Sequence, residues 1–247
     1  VAKASLSRPV PDGVDWDDFR VFLEVVRAGS FNRAATRLKM TQPTVSRRLM
    51  RLEDAIGARL FDRDRRGMSI GEGAAFLVLE SRAEARARGA RIYAELAGHA
   101  MTTDAHHATA PHPEGEGMIT AMRSALARAR LAPGDVGYAN AHGTGTPQND
   151  RIEAVALARV FGEGRVLVSS NKSQIGHTMA AAGGLEAAAT VLALTHGLVP
   201  ATVNLTVIDP DVLFDCVPRV PREVSLGAAL SNSFGFGGQN VTLAFTR

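Results

Sequence analysis

Two imidazoles and an ammonium stand in segments otherwise built from glycine and small polar residues. His142 lies in Ala141-His142-Gly143-Thr144-Gly145-Thr146-Pro147, and Lys172 and His177 bracket Lys172-Ser173-Gln174-Ile175-Gly176-His177. The grouping has the look of half an active site. Neutral imidazole N–H groups are suitable donors to an oxygen on which enolate charge develops. A third segment, Ser231-Asn232-Ser233-Phe234-Gly235-Phe236-Gly237-Gly238-Gln239-Asn240, surrounds Phe236 with Gly235, Gly237 and Gly238, which supply backbone freedom. Each group also has a plainer reading. A lone loop histidine is commonly structural or solvated, a glycine-rich Phe segment is commonly a turn, and Lys172 could be a surface charge.

The elements that must position these residues alternate beyond Gly67. Ala74–Leu79 reads as a strand, Ser81–Arg88 as a helix, Ile92–Gly98 as a strand and Glu114–Ala132 as an amphipathic helix. Gly137–Ala141 follows as a strand, Asn149–Phe161 as a helix, Val166–Ser169 as a strand and His177–Thr195 as a helix, with strands to the end. The Glu, Ala, Leu and Arg content of 72–88 also favours helix, and the strand at Ala74–Leu79 is preferred because the rest of the body needs it. The helix after His177 is apolar nearly all round, with Ala180, Ala181, Ala182, Gly183, Gly184, Ala187, Ala188 and Ala189. Such a helix must be buried and closely approached by another element.

Residues 1–14 show no apolar period and form a flexible lead-in with Pro9, Pro11 and Gly13. From Trp16, the positions Phe19, Phe22, Leu23, Val25 and Val26 recur at helical spacing up to Gly29, and Ser30 caps a second helix that turns Ala34, Ala35 and Leu38 inward. A break at Lys39-Met40 leads to Thr41 as N-cap, Pro43 in the first turn, and a third helix through Val45, Leu49, Leu52 and Ile56. That third helix presents Gln42, Thr44, Ser46, Arg47, Arg48 and Arg51 outside its apolar stripe, a pattern able to enter a major groove. The alternative from pattern alone is a three-helix bundle with a basic exterior.

Charge divides along the same line. Residues 1–66 hold 14 Lys and Arg against 9 Asp and Glu, and the remainder holds 14 against 16. A basic head suits an anionic partner, although such a run can equally be a solvated face. A single cysteine, Cys216, excludes an intramolecular disulfide and fits a reducing compartment. No charged-then-apolar leader signals secretion, and the apolar stretch Met179–Leu194 is interrupted by Glu186, so a cytoplasmic chain without a membrane span is expected. His106 and His107 lack a compatible ligand set, so no metal site is expected.

The three body segments, in this order, resemble the C-terminal half of the elongating β-ketoacyl-acyl-carrier-protein synthases over residues 61–247. The strings Phe31-Asn32-Arg33-Ala34-Ala35-Thr36-Arg37-Leu38, Thr41-Gln42-Pro43-Thr44-Val45-Ser46-Arg47-Arg48-Leu49 and Leu52–Arg63 resemble the winged helix-turn-helix of LysR-type regulators. The resemblance implies an α/β chain, the C-terminal half of a thiolase-like fold (67–247), preceded by a small all-α winged helix-turn-helix (15–66). The stretch Phe61-Asp62-Arg63-Asp64-Arg65-Arg66-Gly67 fits both families, so the join lies within shared sequence. Recombination, an assembly error or a deliberate fusion would each leave such a chimera.

From the synthase resemblance come roles. His142 and His177 would stabilise the enolate left when a malonyl thioester decarboxylates. Lys172 would hold Glu186, and Thr144 and Thr146 would bind the phosphopantetheine arm of an acyl carrier protein. Phe236 would gate the site. The arm belongs to the carrier, so no cofactor of the chain's own is implied. The family's nucleophilic cysteine lies in an N-terminal half that the sequence does not match. Cys216, in Phe214-Asp215-Cys216-Val217-Pro218, resembles no nucleophile motif and reads as a small apolar residue. The resemblance therefore implies an acyltransferase of fatty-acid or polyketide synthesis that is inactive alone, partnered by a missing N-terminal half or a second copy. From the regulator resemblance come double-stranded DNA as partner, the third helix as reader, and Arg63, Arg65 and Arg66 as the wing. The rival reading is a DNA-binding regulator whose body is a non-catalytic scaffold or carrier-binding module. A third is a chain without an evolved function.

Overall fold

A computed structural model describes residues 15–28, 31–56, 68–107, 109–164, 166–209 and 212–247. The expected lead-in, Gly29, Ser30, the join at 61–67 and the wing residues Arg63, Arg65 and Arg66 lie outside them. The chain forms two compact units, Val1–Asp64 and Arg65–Arg247.

The first unit contains α1 (Trp16–Ala28), α2 (Phe31–Leu38) and α3 (Gln42–Ile56). Thr41 caps α3 by accepting the Thr44 N–H at 3.3 Å. Val21, Val25 and Ala28 make the buried stripe of α1, packed with Ala34, Ala35, Val45 and Leu49. The expected inner positions Leu23 and Val26 are exposed instead. At 100° per residue the i, i+4, i+7 series from Val21 faces α2 and α3, which turns Leu23 and Val26 outward. Arg48, expected on the groove-facing side, is drawn to Asp17 and Asp18, and Arg51 shares Asp18 Oδ1 at 3.3 Å. Asp18 is buried, and an unpaired carboxylate there would be costly, so Arg48 serves as a tie between α1 and α3.

The second unit is built on one five-stranded sheet, ordered β1-β7-β6-β2-β3. Its strands are β1 (Glu95–Thr103), β2 (Val136–Asn140), β3 (Leu167–Ser169), β6 (Ala228–Gly235) and β7 (Gln239–Thr246). A small antiparallel pair, β4 (Leu198–Val199) with β5 (Arg222–Glu223), stands apart. β2 runs parallel to β3 and β6, whereas β7 is antiparallel to β6 and β1. Side-chain alternation separates two layers. Ala228, Leu230 and Ala244 face α5 (Glu116–Ala129) and α6 (Pro147–Phe161), while Ala229 and Phe245 face α8 (Ala182–His196).

Three expectations are corrected. β1 begins at Glu95 rather than Ile92 and runs to Thr103, because its length is set by pairing with β7 from Glu95↔Thr246 to Thr103↔Gln239. The helix expected over His177–Thr195 begins as a single turn at Met179–Ala181 and becomes α-helical only at α8, while the short α7 (Lys172–Ile175) precedes His177. Met179 has φ +54, which a continuous helix cannot accommodate, and the His177 N–H donates to Ser69 O. Ala74–Leu79 joins no sheet. From Gly73 to Leu79 no backbone hydrogen bond reaches a described residue. The segment lies against α8, where a Cβ on Gly184 would come 3.1 Å from that of Ala75, and so is not beside the edge strand β1. The competing helix starts only after Ser81, whose Oγ accepts the Glu84 N–H, as α4 (Arg82–Ala87). No described helix is long and apolar enough to cross a membrane.

Gly98 marks where β1 meets α5. A Cβ there would lie 2.3 Å from Ala125 O and 2.7 Å from Ala129 N, both backbone atoms that cannot move aside. Gly98→Val should destabilise the second unit by about 2–3 kcal/mol in denaturant unfolding. Gly134→Ala, with nothing within 4 Å of the added atom, should stay within about 0.5 kcal/mol of the parent.

Candidate active site

His142 and Lys172 lie just beyond the C-terminal ends of the adjacent parallel strands β2 and β3. The Ala141 N–H donates to Ser169 O at 2.9 Å, extending the pairing one step past β2. Glu153, buried on α6, then fixes the turn, because its two oxygens accept the N–H groups of His142 and Gly143, each at 2.8 Å. Gly143 has φ +40, and a Cβ would fall 2.6 Å from that of Ser170, so glycine is required there. Ser170 Oγ donates to Gly143 O at 2.8 Å, and Asn171 Nδ2 donates to Asn140 Oδ1 at 3.0 Å. These bonds tie the loop bearing His142 to the short helix bearing Lys172.

The His142 and His177 rings meet edge to face, with centroids 5.4 Å apart. His177 Nδ1 accepts the Met179 N–H at 3.0 Å, which puts the ring proton on Nε2 as a donor. His142 Nδ1 is buried without a described partner. Burial pulls the His142 pKa down to about 2, with the charges of Lys172 and His177 adding to it. Burial, and then Lys172, lowers that of His177 too. Both rings are therefore neutral at physiological pH, the state in which they offer N–H donors without bringing positive charge.

Lys172 Nζ donates to Glu186 Oε1, and both residues are buried. Burial raises the Glu186 pKa to about 7 against the opposing pull of Lys172, and its second oxygen has no described partner. A cavity of about 860 Å³ is lined by His142, His177, Thr144, Thr146, Phe234 and Phe236. The Thr144 and Thr146 hydroxyls are 2.9 Å apart. Phe236 is 68% exposed at the mouth, in the turn Phe236–Gly238. Gly237 and Gly238 have φ +82 and +72, as the expected backbone freedom requires, whereas Gly235 is extended at φ −129, open to any residue.

The structure thus brings His142, His177, Lys172, Glu186, Thr144, Thr146 and Phe236 to one site. Sequence reasoning missed Glu153 and Asp104. Glu153 carried a usable signal, being a carboxylate on the inward stripe of α6 between Ile152 and Ala154. Asp104 carried none in its local pattern. Its N–H donates to Gly238 O at 2.8 Å, and its oxygens accept Asn240 Nδ2 at 2.7 Å and the His112 N–H at 2.9 Å, which anchors the Phe236 turn. Cys216 is half-buried, and burial followed by Asp215 pushes its thiol up to about 11, far from the thiolate a nucleophile needs. Among the described residues no group of three or more His, Cys, Asp or Glu is arranged to hold a metal.

Residues 93–206 match the model of the β-ketoacyl synthase C-terminal domain. The solved ishigamide ketosynthase/chain length factor superposes with a TM-score of 0.72 at 31% identity, covering 93% of this chain and 72% of that one. The chain belongs to the β-ketoacyl synthase family. It is 49% identical over 192 residues to 3-oxoacyl-[acyl-carrier-protein] synthase 2 of Synechocystis sp., covering 77% of this chain and 46% of that protein. With the Vibrio harveyi synthase of the same name it shares 42% over 229 residues, covering 91% and 55%. It therefore spans about half the length of the curated relatives it matches. Residues 16–73 match the bacterial regulatory helix-turn-helix model of the lysR family, so the synthase region follows a LysR-type head.

The buried neutral His142 gives a test through stability. Its folded pKa lies below the unfolded value of about 6.5, so the unfolded chain alone takes up this proton as pH falls. The contribution is present above pH 6.5 and is lost on acidification by up to about 1.4 kcal/mol per pH unit. His142→Gln should remove that slope between pH 6.5 and 5. The quantity to measure is the wild-type-minus-variant unfolding free energy, in which the carboxylates common to both proteins largely cancel.

Proposed function

We propose that the second unit is the C-terminal half-site of a decarboxylative condensing acyltransferase of fatty-acid or polyketide synthesis. The observation that carries this is the pair of neutral imidazoles meeting edge to face in one cavity. When a malonyl thioester binds there, its C–CO₂ bond breaks and the electron pair moves to the thioester oxygen. The N–H groups of His142 and His177 donate to that oxygen. Burial first, and then the Lys172 ammonium, disfavour the protonated rings, while Glu186 holds Lys172 in place. Thr144 and Thr146 hydrogen-bond the phosphopantetheine arm, Phe236 covers the mouth, and the arm arrives on an acyl carrier protein rather than as a resident cofactor. A solved type II polyketide carrier protein in complex with its ketosynthase, similar to this chain at TM-score 0.67 and 30% identity, supports that partner. Carbon–carbon bond formation then needs a cysteine thioester from a separate N-terminal half, with carbanion attack at the acyl carbon and departure of the thiolate. The setting is cytoplasmic, where carrier and thiolate chemistry coexist.

The experiment is turnover of malonyl-carrier protein by the full chain, alone and with an N-terminal ketosynthase half, following carbon dioxide and ketoacyl product. Product is expected only in the mixture, and His177→Ala should lower it by about 10²-fold or more. Absence of carbon dioxide from a folded mixture would sink the assignment.

A second reading, favoured by the lysR-family match over 16–73, concerns the head alone: it binds double-stranded DNA through α3. Gln42, Thr44, Ser46 and Arg47 supply base and phosphate contacts, with Arg51 reaching phosphate beside its Asp18 contact. Affinity should fall linearly with log salt concentration, and Arg47→Ala should reduce the slope by about one. Binding that is indifferent to salt would exclude this role.

A further inference from the structure

A second cavity, of about 400 Å³, lies at the opposite end of the sheet from the histidines. Its wall includes Glu95, which pairs with Thr246 at the end of β7, whereas Gln239 and Asn240 at the start of that strand line the active-site cavity. The length of β7 separates the two, roughly 24 Å at about 3.4 Å per residue. Arginine dominates the lining. Arg82 and Arg86 stand four residues apart on α4 and so project from one face of that helix. Arg91 joins them from the segment leading into β1, its guanidinium 4.6 Å from the centroid of the Tyr93 ring. Arg247 lines the cavity as well.

The walls are tied to one another. Arg82 Nε contacts Glu95 Oε1 at 2.8 Å and its Nη1 donates to Glu95 Oε2 at 3.2 Å, which joins α4 to the start of β1. Thr195 Oγ1 is a donor to Tyr93 O at 3.1 Å, which joins the Arg91–Tyr93 pair to α8. Charge then decides what fits. Neither Arg86 nor Arg91 has a carboxylate within ion-pair reach among the described residues, so even without Arg247 three arginines against Glu95 leave two positive charges. Other arginines of this unit are paired, as Arg88 is with Glu80 and Arg222 with Asp215. Guanidiniums facing one concavity repel, and an anion between them removes the repulsion. A carboxylate supplies one negative charge. A phosphomonoester supplies about −1.5 to −2 near neutral pH, on oxygens that a guanidinium fork meets two at a time. The volume falls within the roughly 300–1,000 Å³ of small-molecule sites, and Ile92 and Tyr93, both partly exposed in the wall, leave a surface for the rest of such a ligand.

We propose that this cavity binds a small phosphomonoester, its dianionic phosphate held between Arg86 and Arg91 with Arg82 beside them. The site stands apart from the cavity of His142 and His177 and needs no chemistry there, so phosphate binding and condensation can fail independently.

The full chain is titrated calorimetrically near neutral pH and at low salt with glycerol 3-phosphate, inorganic phosphate and diethyl phosphate, and amide hydrogen exchange is compared with and without the first. Glycerol 3-phosphate is expected to saturate one site per chain and to slow exchange over 82–95. Arg86→Gln combined with Arg91→Gln should weaken it by about 10-fold or more, through the loss of charge-assisted hydrogen bonds. Both side chains are exposed, so circular dichroism should be unchanged. Arg151→Gln, an exposed arginine on α6, should bind like the parent. Diethyl phosphate, a monoanion, should bind about 10-fold or more weakly than glycerol 3-phosphate. Inorganic phosphate binding as tightly as the ester supports the site and names free phosphate as its source, whereas tighter binding of the ester names a phosphorylated metabolite. Absence of saturable binding overturns the proposal, as do binding that survives the double substitution, equal binding of diethyl phosphate, and exchange slowed only in the first unit. Capture of polyglutamate through Arg86 and Arg91, with neither phosphate compound bound, also overturns it and assigns the cluster to an acidic protein.

Discussion

The buried ion pair between Lys172 and Glu186 is the constraint around which the second unit is arranged. An ammonium and a carboxylate removed from water are tolerated only when they find each other, and here they join α7 to α8 beneath the two histidines. Their burial has a chemical consequence. The positive charge of Lys172 bears on both imidazoles and adds to desolvation in keeping them neutral. Glu186 is pulled both ways, by burial toward the protonated form and by Lys172 toward the ionised one. Removing Glu186 would leave the Lys172 ammonium buried without its partner, so the pair fixes α8 against α7.

That placement follows from the sheet. β2 and β3 are parallel neighbours, so both chains leave the sheet at the same end, which is where open α/β sheets concentrate ligands. The antiparallel turn from β6 into β7 adds the Phe236 segment to the same rim. Glu153 then converts proximity into geometry by holding two successive N–H groups of the His142 loop from α6. Three connections, arising from widely separated parts of the chain, thus meet at one cavity, and each is held by a buried polar residue with its own partners.

Much of this was legible in the sequence, and the reasons are local. His142, His177 and Lys172 stand in glycine-rich strings whose composition departs from any core or surface pattern. The strands and helices around them follow ordinary periodicity. Glu153 was legible only as a carboxylate on the inward stripe of α6, without the two N–H groups it holds, and Asp104 was not legible because its main partners, Gly238 and Asn240, lie far away in sequence. Arg48 was misassigned for a related reason. Its spacing puts it on the polar side of α3, and only the neighbouring α1 reveals Asp17 and Asp18 as its partners. The late start of α8 was hidden by an alanine-rich sequence that suits helix everywhere, while Met179 adopts a left-handed conformation and donates its N–H to His177 Nδ1.

The cavity is chemically one-sided, and that separates two steps that condensation normally joins. In the proposed reading, stabilising an enolate needs N–H donors on neutral rings, the role given to His142 and His177. Trapping the enolate on an acyl carbon needs a thiolate, and the one cysteine has its thiol pushed up to about 11 by burial, on a segment that does not line the cavity. In the proposed reading, an enolate formed at this half-site alone has no acyl carbon to attack and is quenched by a proton, giving an acetyl thioester. The same incompleteness is visible in packing. The apolar run at 74–79 leaves Phe76 and Val78 largely exposed.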